Sequence, residues 1–418
     1  MARAFPSSRT PWNTLERQLI DMRQSDVDWR GGRSALHVYY AGDDVLEVAG
    51  KAYAMFMSEN ALAPAAFPSL ALMEREILDA ALALLHAPPA ADGSFTSGGT
   101  ESIILAVKTA RDWARARRPS LDAATPEIVL PRTAHPAFDK AAHFLNVRAV
   151  RVPVGADCRA DLPAMKAAIT TRSIMIVGSA PSLPYGAVDP IGEIASLAQE
   201  HDLWCHVDAC IGGFLAPFAK QLGHHIPDFD FAIPGVRSIS ADIHKYGYAA
   251  KGASTVLYAR RQDLQYQATE FSDWPKGRYF TPTVLGTRAG GAVAAAWAVL
   301  HYLGAEGYLQ LATRTMRVWR AYLSGIERIA DLKVIGKPDL AVVPFTSRSP
   351  DVDIFAVAEA LSKRGWYTSR ISEPPGIHQM VNLAHEPVFD EYLGDLARVV
   401  HDARRQKSRA EAREVVTY

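Results

Sequence analysis

The feature that most narrows the fold is an alternation between about Thr100 and Val207. Short runs of β-branched residues trade places there with stretches whose apolar residues recur every three or four positions. The helical pattern covers Thr100–Arg117, Pro136–Leu145, Leu162–Ile169 and Ile191–Glu200, and the short runs lie at Glu127–Leu130, Arg148–Val152, Ser173–Val177 and Trp204–Val207. Strands that alternate with helices are joined by crossovers. The prediction is therefore an α/β fold whose large, mostly parallel sheet is covered by helices on both faces. A turn at Asp92-Gly93 precedes the alternation, and strands at Val236–Ser240 and Ser254–Ala259 continue it.

With 418 residues there is room for more than one domain. Amphipathic patterns at about Asp43–Asn60 and Ser69–His86 come first, as helices of an N-terminal arm. After the last of the strands, helices dominate to about Ile329. A smaller α+β domain follows, with strands near Leu332–Ile335, Ala341–Pro344 and His378–Leu383 and helices over Val352–Arg364 and Pro387–Arg404. The resulting division is 1–60 for the arm, 61–300 for the large domain and 301–418 for the small one, and the charged tail Arg404–Tyr418 is expected to fray.

Charge excludes whole classes of partner. Lys plus Arg total 45 and Asp plus Glu total 45, so no net field draws nucleic acid or an anionic membrane, and a small molecule is the expected partner. Cys158, Cys205 and Cys210 make no even disulfide framework, which suits a reducing cytoplasm. Met1–Gln18 has no apolar core of a signal peptide, and the uncharged stretch Ala289–Ala305 reads as a buried helix rather than a membrane span.

Three motifs carry chemistry. Thr96-Ser-Gly-Gly-Thr-Glu-Ser102 joins a loop to a helix, so its backbone N–H groups and hydroxyls can face an anion, although the same residues would serve as an ordinary helix cap. It has neither the lysine of a nucleotide-binding loop nor the spacing of a dinucleotide fingerprint. Asp208, in His206-Val-Asp208, ends a strand where open α/β sheets bind ligands. There it can orient a cationic ring nitrogen or cap a helix, and the zinc reading invited by Cys205, His206 and Cys210 fails on strand alternation. Lys245 lies in Ser238-Ile-Ser-Ala-Asp-Ile-His-Lys-Tyr-Gly-Tyr248, a run poor in other cations, where desolvation is expected to lower its pKa and make it an amine nucleophile. Singly, each has a bland explanation. Together, an anion loop, an acid at a strand end and a lysine are what pyridoxal 5'-phosphate requires: a phosphate site, a partner for the pyridine nitrogen and a Schiff-base amine. His135, after another strand, can stack on the ring or simply cap a helix.

From about Gly32 to Arg398 the sequence resembles the sphingosine-1-phosphate lyase family, within the fold-type-I pyridoxal enzymes that include the group II amino-acid decarboxylases. The resemblance rests on the segments above, on Lys251-Gly252, on Thr281-Pro-Thr283 with Gly286-Thr-Arg288, and on Pro374-Pro-Gly-Ile-His378. It implies that Lys245, Asp208 and His135 are catalytic and that Gly99, Thr100 and His244 lie at the cofactor phosphate. It also implies that Gly286 approaches the cofactor of a neighbouring subunit in a homodimer, and that Tyr39, Asn60 and Lys251 bind substrate. The implied reaction is Cα–Cβ cleavage of a 2-amino-3-hydroxy compound, with amino-acid decarboxylation as the alternative; a non-catalytic relative would have no need of all three of Lys245, Asp208 and His135.

Three positions depart from the family pattern. Asn60-Ala-Leu-Ala63 replaces Asn-Pro-Leu-His, Ile243 stands for a threonine, and Leu183 occupies a position where some bacterial members have tyrosine. No membrane anchor is expected ahead of the domain, unlike the eukaryotic enzymes. Loss of the histidine at Ala63 removes a charge-assisted bond worth roughly 1.5–3 kcal/mol to a substrate phosphate.

Overall fold

Seven strands build the central sheet: β1 (Asp92–Thr96), β2 (Glu127–Pro131), β3 (Arg148–Val152), β4 (Ser173–Ser179), β5 (Trp204–Asp208), β6 (Val236–Ala241) and β7 (Ser254–Tyr258). In the structure, a computed structural model describing residues 5–414, their order is β1-β7-β6-β5-β4-β2-β3. Strands β2 to β6 are parallel, while β7 is antiparallel to both β6 and β1. The carboxyl ends of β1, β2, β4, β5 and β6 therefore share one edge.

Side chains alternate between two apolar layers, as a sheet covered on both faces demands. Ile128, Leu130, Val177, Trp204, Val256 and Tyr258 pack under the helices Gly99–Arg117 and Ala137–Leu145. Val129, Ile176, Cys205, Val207, Ile239 and Leu257 face the other way, toward the helices Pro68–Leu84, Ile191–Glu200 and Gly290–Glu327. Each such fully buried aliphatic side chain contributes about 1.5–3 kcal/mol, so the layers rather than helix propensity hold the sheet together.

The structure differs from expectation at several points. Asp92-Gly93 opens β1 instead of making a turn. A Cβ at Gly93 would lie 2.6 Å from the Val256 carbonyl, so the glycine serves close strand approach. A hairpin of β8 (Thr269–Phe271) and β9 (Tyr279–Thr281) interrupts the stretch read as helical, and a further helix, Trp12–Arg23, which buries none of its residues, precedes the two helices expected in the arm. The helix Gly290–Glu327 breaks at Gly304 (φ 52°, ψ −177°). The break lies four residues beyond Leu300, the last residue assigned to the large domain. The first turns of the helix pack against Tyr53 and Phe56, whereas Trp319 further along donates to the Val342 carbonyl (2.9 Å).

The smaller sheet contains β10 (Leu332–Val334), β11 (Val342–Ser347), β12 (Ser369–Ser372) and β13 (Pro375–Met380) in the antiparallel order β10-β11-β13-β12. Its last helix, Phe389–Glu414, runs beyond Arg404, and the end of the charged tail, 415–418, lies outside the described residues. The arm crosses to this domain: Tyr367 N–H donates to Arg33 O (2.8 Å), Ala35 N–H to Tyr367 O (3.1 Å) and Met380 N–H to Ala35 O (2.9 Å).

The two domains meet at Gly186. Asp339 N–H donates to its carbonyl (2.8 Å), and the Asp339 carboxylate accepts from Val188 N–H (2.7 Å) and pairs with Arg159 (2.8 Å). Gly186 has φ +67°, and an added Cβ would sit 2.8 Å from Val342 Cβ and 3.1 Å from Leu340 O. Gly186→Ala is therefore expected to destabilise the protein by about 1–3 kcal/mol, read as a lowered denaturant midpoint. Gly192→Ala, whose added Cβ meets nothing within 4 Å, should leave the midpoint unchanged or raise it.

Candidate active site

The shared edge of strand ends opens on a cavity of ≈ 340 Å³. Six of the residues singled out by sequence line it together: Gly99, Thr100, His135, Asp208, His244 and Lys245. The topology explains the meeting, because each follows or ends a strand whose carboxyl end points to this edge.

At one side of the cavity, β1 passes through Ser97 and Gly98 into the helix Gly99–Arg117, whose N-cap makes no side-chain capping bond. The helix N-terminus thus offers N–H groups and its dipole to an anion. Gly99 is obligatory, since a Cβ there would fall 2.8 Å from Cys210 Sγ and 2.9 Å from both Asp242 carboxylate oxygens. His244 flanks the loop and donates its Nδ1–H to Ala253 O (2.8 Å), while burial lowers its pKa. Glu101, buried and absent from the sequence expectations, fixes the loop. Its Oε2 accepts from Ser97 N–H and Oγ–H, both at 2.7 Å, and its Oε1 from the N–H groups of Val284 (2.9 Å) and Leu285 (3.1 Å).

Asp208 ends β5, and its Oδ1 accepts from Cys210 N–H (3.1 Å) and Ser240 Oγ–H (3.3 Å). His135 Nδ1 accepts from Ala137 N–H (3.1 Å), which leaves the neutral ring's proton on Nε2. Leu183, one of the departures, also lines the cavity, whereas Ile243 is buried in the core.

Lys245 corrects the expectation of a lowered pKa. Burial acts in that direction, but the Asp242 carboxylate 3.0 Å from Nζ, with smaller contributions from Tyr39, Cys210 and Asp208, carries the pKa above the ordinary lysine value. Asp242 in turn is held below the usual carboxylate range: burial opposes ionisation, and the charges of Lys245 and His244 outweigh it. Sequence reasoning weighed desolvation of the lysine without its partner three positions earlier. The signal was present in Asp242-Ile-His-Lys245.

Tyr39 and Lys251 stand beside this pair. Lys251 Nζ donates to His244 O (3.2 Å) and lies 4.9 Å from the Tyr39 ring centroid; Tyr39 Oη donates to Met380 Sδ (2.6 Å). Although the Lys251 residue as a whole is exposed, its ammonium turns inward. Desolvation and the Lys245 charge lower its pKa to about 8. None of Tyr39, Lys251, Asn60 and Gly286 lines the cavity itself. Asn60 Oδ1 accepts from Arg288 N–H (3.1 Å) and its Nδ2–H donates to Thr287 Oγ1 (3.3 Å), so the two segments form a separate cluster with Ala63 nearby in the same turn.

The lining fits pyridoxal phosphate. An uncapped helix start takes a phosphate, Asp208 takes a protonated ring nitrogen, Lys245 meets an aldehyde, and the buried oxygens Ser179 Oγ and Asp242 Oδ1 have no hydrogen-bond partner within the described chain. Asp242→Asn should remove the largest contribution opposing burial and lower the Lys245 pKa. Covalent capture of pyridoxal phosphate, followed as the visible absorbance band, should then extend to lower pH than in the wild type. An unchanged pH profile of capture would show that the ion pair does not govern the amine.

Similarity to known proteins agrees with this geometry. Residues 26–348 match the pyridoxal-dependent decarboxylase conserved domain. The chain is 42% identical over 392 residues to a sphingosine-1-phosphate lyase of Oryza sativa subsp. japonica, spanning 92% of this chain and 72% of that one. It is 33% identical over 356 residues to an L-aspartate/L-glutamate decarboxylase of Pyrococcus horikoshii, covering 85% of this chain and 89% of the relative. Among solved structures, a sphingosine-1-phosphate lyase of Burkholderia pseudomallei superimposes with a TM-score of 0.92 at 35% identity, over 100% of this chain and 96% of that one. With Lys245, Asp208 and His135 gathered in one cavity, the chain belongs to the pyridoxal-dependent decarboxylase family and, within it, to the sphingosine-1-phosphate lyases.

Proposed function

We propose that the protein is a pyridoxal-phosphate-dependent lyase that breaks the Cα–Cβ bond of a phosphorylated 2-amino-3-hydroxy compound of the sphingosine-1-phosphate type. The products are an aldehyde and phosphoethanolamine. The observation that carries the reading is the convergence of Lys245, Asp208 and His135 on one cavity, with the ammonium of Lys251 on the backbone carbonyl of His244, one of its lining residues. When bound, the cofactor supplies an electron sink for the pair released by bond cleavage.

The chain's own residues do the rest. Lys245 would hold the cofactor, Asp208 would keep a proton on its ring nitrogen, and His135, lining the same cavity, would lie against the ring. The N–H groups at Gly99 and Thr100 would take its phosphate at the helix start. Lys251 is the cation left for the substrate phosphate, because Ala63 cannot supply the charge-assisted bond a histidine would give.

Lys251 loses its proton as pH rises through about 8, so kcat/KM for the phosphorylated substrate should fall on that alkaline limb. The unphosphorylated amino alcohol should show no such limb, and Lys251→Ala should abolish it while raising KM for the phosphorylated compound. Equal kinetics on the two substrates would remove phosphate recognition. Carbon dioxide release from an amino acid, without aldehyde from either amino alcohol, would favour the decarboxylase reading instead.

We further propose a cytoplasmic homodimer with shared sites, serving sphingolipid breakdown. Its support is the cluster of Asn60, Gly286 and Arg288 apart from the chain's own cavity, together with the exposed Trp12, Leu19, Ile20 and Met22 on one N-terminal helix. Light scattering should give a dimer or a multiple of it. Mixing Lys245→Ala protein with Gly286→Glu protein, each inactive alone, should restore part of the activity; an active monomer would exclude shared sites.

A further inference from the structure

Behind Asp208 lies a second set of polar groups that the lyase reaction as described does not use. Trp204, His206 and Asp208 alternate onto one face of β5, and Ser238 and Ser240 lie on the matching face of β6. The parallel register sets Ser238 opposite His206 and Ser240 opposite Asp208. Trp204, His206, Ser238 and Ser240 each have 0% exposure, so every polar hydrogen among them must find a protein acceptor.

Their hydrogen bonds run in a line. Trp204 Nε1 is 2.7 Å from Ser238 Oγ, Ser238 Oγ is 2.8 Å from His206 Nδ1, His206 Nε2 is 3.3 Å from Ser240 Oγ, and Ser240 Oγ is 3.3 Å from Asp208 Oδ1. The chemistry of the two ends sets the direction. An indole N–H only donates and a carboxylate only accepts. Ser238 therefore accepts from Trp204, and its own hydrogen has His206 Nδ1 as acceptor. With Nδ1 accepting, the neutral imidazole carries its proton on Nε2 and donates it to Ser240, which donates to Asp208. The Cys210 thiol, kept protonated by burial, gives Ser240 Oγ a second donor at 3.3 Å. This arrangement gives every hydrogen in the line an acceptor. An imidazolium would leave the Ser238 hydrogen without one, in keeping with burial lowering the His206 pKa to about 4.

We propose that Trp204, Ser238, His206 and Ser240 form a one-way hydrogen-bond relay that holds Asp208 as an oriented anion against the ring nitrogen of the cofactor, which makes His206 and Ser240 positioning residues. This deepens the cofactor reading above and rests on it only in what Asp208 faces. The relay fixes which Asp208 oxygen is engaged from behind and leaves the other for the cavity. Donation from Ser240, strengthened by the dipoles behind it, stabilises the carboxylate without adding a net charge to the core. The function of the relay is thus electrostatic and geometric, with no proton delivered to substrate.

Nitrogen NMR of histidine-labelled, cofactor-free protein tests the relay without any reaction. His206 should remain the neutral Nε2–H tautomer from about pH 5 to 8, and an imidazolium or the Nδ1–H tautomer in that range would overturn the proposal. In the loaded enzyme, His206→Phe and Ser240→Ala should each lower kcat on the order of 10-fold with KM little changed. Each should also shift the pH at which the cofactor's visible band responds to ring-nitrogen protonation. The double variant should be no worse than either single variant, and His206→Gln, which retains a donor toward Ser240, should recover much of the loss. Multiplying losses in the double variant, or an unmoved visible band in both singles, would refute the relay. A wrong substrate assignment would appear differently, as absence of aldehyde from the wild type with the NMR and spectral results intact.

Discussion

The parallel alignment of β4, β5 and β6 is the constraint on which everything functional depends. Parallel pairing puts all three carboxyl ends on one edge, and the reversal of β7 allows β1 to end there too. A slip of one residue in β5 would turn Asp208 into the core and Val207 toward the cavity, because side chains alternate with a period of two. That slip is opposed by the whole apolar layer of Cys205, Val207 and Ile239, so the hydrophobic core specifies the chemistry by specifying register.

That edge concentrates buried charge, and the charges are matched in sign and place. Asp242 is desolvated yet ionised because Lys245 lies 3.0 Å away, and Lys245 remains an ammonium for the same reason. Breaking such a pair by removing one partner is costly, since the other is left uncompensated. Lys251 meets the opposite circumstance: desolvation and the neighbouring Lys245 cation outweigh the more distant Asp242, and its pKa moves down to about 8. Two lysines six positions apart (251 minus 245) thus acquire different acidities from their surroundings alone.

Much of this was legible in the sequence. The strand at Arg148–Val152 and the helix at Ile191–Glu200 fall where periodicity puts them, because each period was clean and bounded by turn residues. The three catalytic candidates and the phosphate loop were legible because strand ends in α/β folds are predictable places. Gly93 was misread because turn chemistry and close strand approach use the same residue. The β8–β9 hairpin was missed because its strands are three residues each and mostly exposed, leaving no apolar alternation to read. Asp242 was open to reading from its spacing to Lys245, and only its approach to Gly99 needed the fold. Glu101 escaped notice for a deeper reason, since its importance lies in the backbone of Val284 and Leu285 that folding brings to it.

Glu101 ties two distant segments together. A single carboxylate accepts from Ser97 at the anion loop and from Val284 and Leu285 in the segment leading to Gly286. The two segments are almost two hundred residues apart in sequence, yet neither can shift without breaking bonds to the other's anchor. Variation is correspondingly channelled: a change in the backbone of 284–285 also disturbs the loop at Ser97 through the carboxylate they share. Positions such as Ala63 and Leu183 lie outside that shared anchor, so a change there leaves the bonds of Glu101 intact.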